Sequence, residues 1–162
     1  MTDLDTLDIK ILNLLQENAR ITMLELAEQV GLSPTPCARR VKRLEDEGLI
    51  ARYVTLLDPK QAGLELSVFI SVRLRSQTAE IIEKFERSVR DLPEISECYL
   101  VSGVHDYLLR LRVADVDSLR DFLRNRLVAI EGIAEAQSSI VLDNVKYTTA
   151  LTLNEKRNGR GK

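Results

Sequence analysis

The N-terminal third of the chain alternates apolar and polar positions at helical spacing in short segments. Apolar residues recur every three or four positions over residues 7–15, after Asp5, a residue type that caps helices. Thr22 and Glu25 then have the spacing of a capping box, and Gly31 supplies a left-handed residue that ends a helix. We therefore predict two short helices separated by a tight turn.

A third helix is predicted directly after Gly31. Ser33 or Thr35 can cap it, and the prolines nearby fit only in or before its first turn. Its apolar stripe would turn one face inward and leave the basic run at residues 39–43 (RRVKR) on the opposite side. The inward residues are Cys37, Val41 and Leu44; Thr35, Arg39 and Lys42 point outward, with Arg40 and Arg43 on the flanks.

Three helices with a glycine turn between the last two are typical of a helix-turn-helix, which we assign to residues 1–50. A basic run alone most often marks a solvated surface. Its position on the helix that such domains insert into the major groove favours DNA binding instead. Residues 51–65 are interpreted as a strand that breaks at Asp58-Pro59, followed by a hinge.

The remaining pattern alternates between strand and helix periods and predicts an α+β fold with a βαββαβ, ferredoxin-like sandwich over residues 66–153. Residues 154–162 are predicted to be a basic, disordered tail. The predicted strands cover residues 66–75, 95–101, 107–113 and 132–147, and the predicted helices cover 78–92 and 116–130.

Composition narrows the functional classes. The net charge of −2 means that any contact with nucleic acid is local and oriented. The start of the chain lacks a secretory signal pattern, and no apolar run approaches a membrane span, so a cytoplasmic protein without membrane contact is expected. The two cysteines, Cys37 and Cys98, are predicted to be reduced and mostly buried. With one histidine in the chain, a conventional His/Cys metal cluster is hard to build, so no metal site is expected. No cofactor is expected either.

Three segments resemble the leucine-responsive regulatory protein/AsnC family, also called the feast/famine regulators. They are Leu4–Gln16 (LDTLDIKILNLLQ), Gly31–Arg43 (GLSPTPCARRVKR) and Val101–Leu109 (VSGVHDYLL). The resemblance extends from about residue 4 to 153. It implies a winged helix-turn-helix, an amino-acid-responsive domain, dimers that commonly assemble into octamers, and effectors that are amino acids or related metabolites.

For double-stranded DNA, cations neutralise phosphates and some side chains must read base edges. We predict groove contacts for Arg39 and Arg40 and phosphate contacts for Lys42 and Arg43. Thr35 suits either role. Thr22 and Ser33 could donate hydrogen bonds to phosphate near helix starts, although helix capping is the competing role.

The effector hypothesis centres on Gly103, His105, Asp106 and Tyr107. Without the family, the segment is most simply a hairpin turn. As a site, Gly103 would expose backbone N–H groups to a carboxylate, and Asp106 would pair with an ammonium group. The resemblance places effectors between subunits, against the last strand of a neighbour. The corresponding residues are Gln137, Ser138 and Ser139, which could equally be polar because an edge strand faces water.

Three alternative functions are compared with this interpretation. Certain tetrapyrrole decarboxylases resemble this arrangement, but they use histidines, and this chain has only His105 and no recognisable catalytic set. An architectural protein that binds DNA with little sequence preference would have the same helix-turn-helix. A sensor without DNA binding conflicts with residues 33–43. The favoured function is a transcription regulator, not an enzyme, whose assembly or DNA binding responds to an effector.

Overall fold

A computed structural model describes residues 4–153 and divides them into two compact units. The first contains residues 4–56 together with 146–153, and the second contains residues 57–145. The basic tail predicted for residues 154–162 lies outside the described residues.

The first unit is a bundle of three helices, α1 (Thr6–Glu17), α2 (Met23–Val30) and α3 (Pro34–Asp46). The predicted caps are confirmed: Asp5 caps α1, Thr22 and Glu25 form a capping box on α2, and Gly31 ends α2 with φ of 74°. Apolar residues at helical spacing close the core. Its buried members are Ile11, Leu12, Leu26, Ala27, Val30, Cys37, Val41 and Leu44.

A segment near the end of the described chain returns to this bundle. The side chain of Gln16 donates to the carbonyl of Leu151 (3.2 Å) and accepts from its N–H (2.6 Å), as a neighbouring strand would. Leu153 packs against the helical core. Residues 146–153 therefore belong with the helices, whereas the sequence analysis had assigned them to the domain of residues 66–153.

Residues 51–58, predicted to start as a strand, form neither a strand nor a helix within the described chain. A β-strand needs a partner for its N–H and C=O groups, and these residues have no such ladder here. Tyr53, Val54, Leu56 and Leu57 are exposed. The apolar pattern of the segment was visible in the sequence, but its pairing was not.

The second unit has the predicted β-α-β-β-α-β order. Its elements are β1 (Leu66–Leu74), α4 (Ala79–Arg90), β2 (Ile95–Leu100), β3 (Tyr107–Val113), α5 (Val116–Asp121) and β4 (Ile133–Ile140). The strands form one antiparallel sheet in the order β2-β3-β1-β4, with β4 at an edge. This is the ferredoxin-like arrangement, and the α+β prediction is confirmed.

The sheet buries one face and leaves the other open. Alternate residues of β1 (68, 70, 72 and 74) and of β3 (107, 109, 111 and 113) form the core with Phe85, Phe122 and Leu127 from the helical side. The residues between them define the open face. One row across it contains Glu97, Arg110, Phe69 and Ser139.

Two predicted elements of the second unit differ from the structure. The helix predicted over residues 116–130 is α-helical only to Asp121 and continues as a π-helical turn, Phe122–Leu127, which still buries Phe122 and Leu127. The strand predicted over 132–147 ends at Ile140. None of the described helices has the length and apolar character needed to cross a bilayer.

Candidate DNA interface and effector site

Helix α3 follows α2 after a three-residue turn, the geometry of a helix-turn-helix. Ser33 stands at its N-cap without a capping side-chain hydrogen bond, so its hydroxyl is available at the helix start. Thr35, one turn before Arg39, is exposed on the outer face. The core stripe of Cys37, Val41 and Leu44 fixes this orientation as predicted.

The four basic residues of α3 are not equivalent. Arg39 is exposed and forms no ion pair with another residue between positions 4 and 153. Lys42 is exposed and forms an i,i+4 pair with Asp46 (2.9 Å). Arg40 and Arg43, which were predicted to lie on the flanks of the helix, reach back to helix α1.

Arg40 and Arg43 pair with the two carboxylates that begin α1, and the Nε atom of Arg43 also lies 4.0 Å from Glu47. The Nη1 atom of Arg40 lies 2.7 Å from Asp5 and 2.8 Å from Asp8, and the Nη2 atom of Arg43 lies 2.5 Å from Asp8. The pKa of Asp5 is below its usual value, first because its carboxylate accepts the N–H of Asp8 and further because Arg40 donates to it. The hydrogen bonds that Arg40 donates to these two carboxylates also raise the pKa of Arg40.

Thr22 is used by the fold. Its hydroxyl accepts from the N–H of Glu25 (3.2 Å) and donates to the Glu25 carboxylate (2.7 Å). The pKa of Glu25 is lowered, mainly because the N–H of Thr22 donates to its carboxylate. Helix capping therefore uses the Thr22 hydroxyl. The predicted donation to phosphate would require the hydroxyl to give up its hydrogen bond to the Glu25 carboxylate.

The loop between β2 and β3 is held at its base and exposed at its tip. The N–H of Val101 donates to the carbonyl of Asp106 (2.9 Å), while Val104 is 82% exposed. Gly103 has φ of 136°, a conformation that residues with a side chain rarely adopt, and the space around it is open. A small ligand can approach the backbone at this tip.

Asp106 anchors the loop to β1. One carboxylate oxygen accepts the N–H of Leu74 (2.7 Å), the other accepts the amide of Gln77 (2.8 Å), and the Asp106 N–H donates to the carbonyl of Val72. These bonds compete with the ammonium contact predicted for this residue. Sequence reasoning missed Gln77, whose position before the cap of α4 gave no signal.

His105 is half-buried, while Tyr107 lies in the core at 2% exposed and donates its hydroxyl to Glu86 (2.9 Å). Burial, then the Glu86 carboxylate, raises the pKa of Tyr107 to about 12. Tyr107, Glu86 and Cys98 also line a pocket of about 310 Å³. Cys37 is buried as predicted, but Cys98 is exposed.

The three candidates on β4 divide between the two faces of the sheet. Gln137 pairs with Ser71 and Ser139 pairs with Phe69, on the open face, whereas Ser138 pairs with the buried Ile70. All three are exposed. Gln137 pairs with Ser71, which pairs with Leu108 near the start of β3. Within one chain, Gln137 and the loop before β3 therefore lie near the same end of the sheet.

The two units thus define a class of protein: a helix-turn-helix joined to a ferredoxin-like domain with an open sheet face. Family models match both parts, "winged helix-turn-helix DNA-binding" over residues 4–51 and "Lrp/AsnC ligand binding domain" over residues 67–151. The chain belongs to the Lrp/AsnC family. It is a DNA-binding transcription regulator with an amino-acid-binding domain.

Relatives cover nearly the whole chain. The leucine-responsive regulatory proteins of Haemophilus influenzae and Escherichia coli are 43% and 42% identical over 93% of this chain and 90% and 92% of their own lengths. A Neisseria meningitidis transcriptional regulator, solved as a complex with L-Met, is 45% identical with a TM-score of 0.90, covering 93% of this chain and 97% of that one. Escherichia coli AsnC is 31% identical with a TM-score of 0.84, covering 91% and 97%.

Proposed function

We propose that α3 enters the major groove and that Arg39 reads base edges while Lys42 contacts phosphate. The observation that carries this proposal is the exposure of both side chains on the face opposite the core stripe of α3. Ser33 and Thr35, at the start of the same helix, are placed to donate to phosphate. The protein would act in the cytoplasm, with double-stranded DNA.

Arginine is the side chain most often paired with guanine, so Arg39→Gln should weaken binding to a selected operator by roughly tenfold or more. The operator is obtained by enriching a randomised duplex pool with the wild-type protein. Gln29→Ala, in the exposed part of α2, is a matched helix-turn-helix control. Equal affinity of Arg39→Gln and wild type would place the reading surface elsewhere. Equal affinity of the wild type for operator and random duplex would favour the architectural alternative.

We further propose that an amino acid or related metabolite binds at the loop that contains Gly103 and His105. The backbone N–H groups at the exposed tip suit a carboxylate. Asp106 holds the loop in place, and Gln137 and Ser139 are contributed by the β4 strand of a second copy. The relative solved with L-Met supports an amino acid as the ligand class. The proposal involves no catalytic step.

Calorimetric titration with each amino acid tests this proposal. Gly103→Ala should abolish the heat of binding, because a side chain strains this backbone and covers its N–H groups. Gly63→Ala is the matched control, since Gly63 also has positive φ (76°) and open space around it but lies outside the loop. If an amino acid that binds wild type binds Gly103→Ala equally well, the loop is not the site. If no amino acid binds wild type, an amino acid is not the ligand.

Self-association is proposed as part of the function. The open sheet face carries Phe69, Leu108 and Tyr99, and the edge strand β4 leaves its outer backbone groups unpaired within the described chain. Residues 51–58 also expose apolar side chains. A homodimer, and an octamer built from dimers, would cover these surfaces.

A further inference from the structure

The carboxylate of Asp8 is an unusual core group. Asp8 is 1% exposed, and among residues 4–153 it is the one charged residue that is buried. Its Oδ1 atom faces Arg40 and its Oδ2 atom faces Arg43 and the backbone N–H of Asp5. A buried charge is retained only where partners of this kind satisfy it. Helix α1 therefore binds two of the four cations of α3 through one side chain.

We propose that Asp8 is a positioning residue for DNA binding, which holds Arg40 and Arg43 against the protein so that Arg39 and Lys42 are the cations that α3 offers to DNA. The inference rests on the proposed role of α3 and adds which of its cations are withheld. It replaces the sequence-based prediction of a groove contact for Arg40 and a phosphate contact for Arg43.

The charges and distances around Asp8 support this division. Asp5, Asp8, Arg40 and Arg43 sum to zero, and one guanidinium nitrogen of Arg40 is shared between both carboxylates. A phosphate approaching Arg40 would meet those carboxylates, which repel it. The side chain of Arg40 is only 27% exposed, and that of Arg43 is 42% exposed, both less than the 72% of Lys42.

The contacts of the other two cations are different. Lys42 and its partner Asp46 are 72% and 62% exposed, and an exposed i,i+4 pair of this kind is weak and screened by salt. A phosphate can therefore take the place of Asp46. Arg39 has no recorded ion pair to break within residues 4–153.

Keeping Arg40 and Arg43 away from DNA phosphates affects sequence specificity. Affinity for DNA of any sequence rises with the number of phosphates that a protein neutralises, and each contact steepens the dependence on salt. Two additional free arginines on each helix-turn-helix would strengthen binding to random DNA without reading bases. Asp8 would therefore raise the ratio of operator affinity to random affinity.

The test is Asp8→Asn in the full chain, with a nearly isosteric side chain that can still accept the Asp5 N–H. Binding to the enriched operator and to a random duplex of equal length is measured over a series of salt concentrations. We expect tighter binding to random DNA, a log K against log salt slope steeper by about one to two for each helix-turn-helix, and a narrower affinity ratio. An unchanged or shallower slope would overturn the proposal, because it would mean that no cation was released.

Glu17→Gln is the control for net charge. It makes the same change of charge on the same helix, at an exposed residue that forms no ion pair within residues 4–153. We expect its salt slope and its affinity ratio to match wild type. A shift equal to that of Asp8→Asn would assign the effect to overall charge and contradict a positioning role.

A second pair of variants decides the question if Asp8→Asn does not fold. Arg39→Gln should weaken operator binding or make the slope of log K against log salt shallower. Arg40→Gln should lower the melting temperature and leave that slope unchanged. If Arg40→Gln reduces the slope as much as Arg39→Gln does, Arg40 contacts DNA and the inference fails while α3 remains the interface. If both variants bind as wild type, the proposed role of α3 itself fails.

Discussion

At the residue scale, several side chains that were predicted to meet a ligand already have partners within the chain. Thr22 caps α2, Asp106 fastens the loop to β1, and Tyr107 donates to Glu86. A residue type indicates which bonds a side chain can make. Whether the fold has already used those bonds depends on neighbours such as Gln77 and Glu86, which lie far away in sequence.

Tyr107 gives a prediction about stability at neutral pH. Its ring is buried with the centroid 4.6 Å from that of Phe85, and its hydroxyl donates to Glu86. Tyr107→Phe keeps the ring packing and removes the hydrogen bond, so the free energy of unfolding should fall by about 1 kcal/mol. Urea unfolding of the full chain measures this. No change would mean that the bond is matched by water in the unfolded state.

The same hydroxyl predicts a dependence on alkaline pH. Because folding raises the pKa of Tyr107 from 10.0 to about 12, the folded chain holds this proton more tightly than the unfolded chain does. The stabilisation is therefore complete below about pH 10 and is lost as pH rises through 10 to 12. The stability difference between wild type and Tyr107→Phe should shrink over that interval. A difference that stays constant would contradict the assigned titration.

At the element scale, residues 146–153 show that a short segment outside the helices can belong to a helical unit. Gln16 makes two hydrogen bonds to the backbone of Leu151, and Leu153 adds apolar contact. Gln16→Ala should lower the free energy of unfolding of the helical unit by about 1–2 kcal/mol, because two bonds are lost. Calorimetry of the full chain measures it. Gln29→Ala, on the exposed side of α2, should change the free energy of unfolding by less than about 0.5 kcal/mol. If the two variants have equal effects, the Gln16 hydrogen bonds do not stabilise the helical unit.

The elements that the sequence predicted correctly are those whose signals are local. The capping residues Asp5 and Thr22, the left-handed Gly31 and the alternation of β3 all act within a few residues, and each boundary agrees closely with the structure. The limits of β4 do not, because a strand continues only as far as β1 pairs with it. The same reason explains residues 51–58, whose apolar pattern has no partner strand in the described chain.

The site was predictable in outline but not in its internal pairing. The stripe formed by Cys37, Val41 and Leu44 sets the rotation of α3, and from it the exposure of Arg39 and Lys42 followed. The acidic residues Asp5 and Asp8 were interpreted only through their effect on the start of α1. Their contacts with Arg40 and Arg43, more than 30 residues away, depend on how two helices pack, which periodicity does not report.

At the scale of the whole molecule, the chain passes between its two units twice, first near residues 56–57 and again near 145–146. The second passage follows β4, the strand that carries Gln137 and Ser139, and leads to Leu151 on the helical unit. A short stretch of chain thus links β4 to the helix-turn-helix unit. An effector whose affinity for β4 differs between two oligomeric states could act on DNA binding through this link. Such a ligand shifts an equilibrium only by its difference in affinity for the two states.

Self-association gives the prediction that belongs to this scale. Leu108 is half-buried on the open sheet face, in a row with Tyr99, Ser71 and Gln137. Leu108→Lys places a charge where a second copy is proposed to pack, and burying an unpaired charge is costly. We therefore expect a smaller mass by light scattering and weaker operator binding, because the two helix-turn-helix units that bind two half-sites are no longer held together.

Val128→Lys, a change at a 76% exposed residue on the helical side, should keep the mass of wild type. If Leu108→Lys also keeps that mass at the same concentration, the open face is not the contact between copies, and the exposed apolar residues 53–57 become the next surface to test.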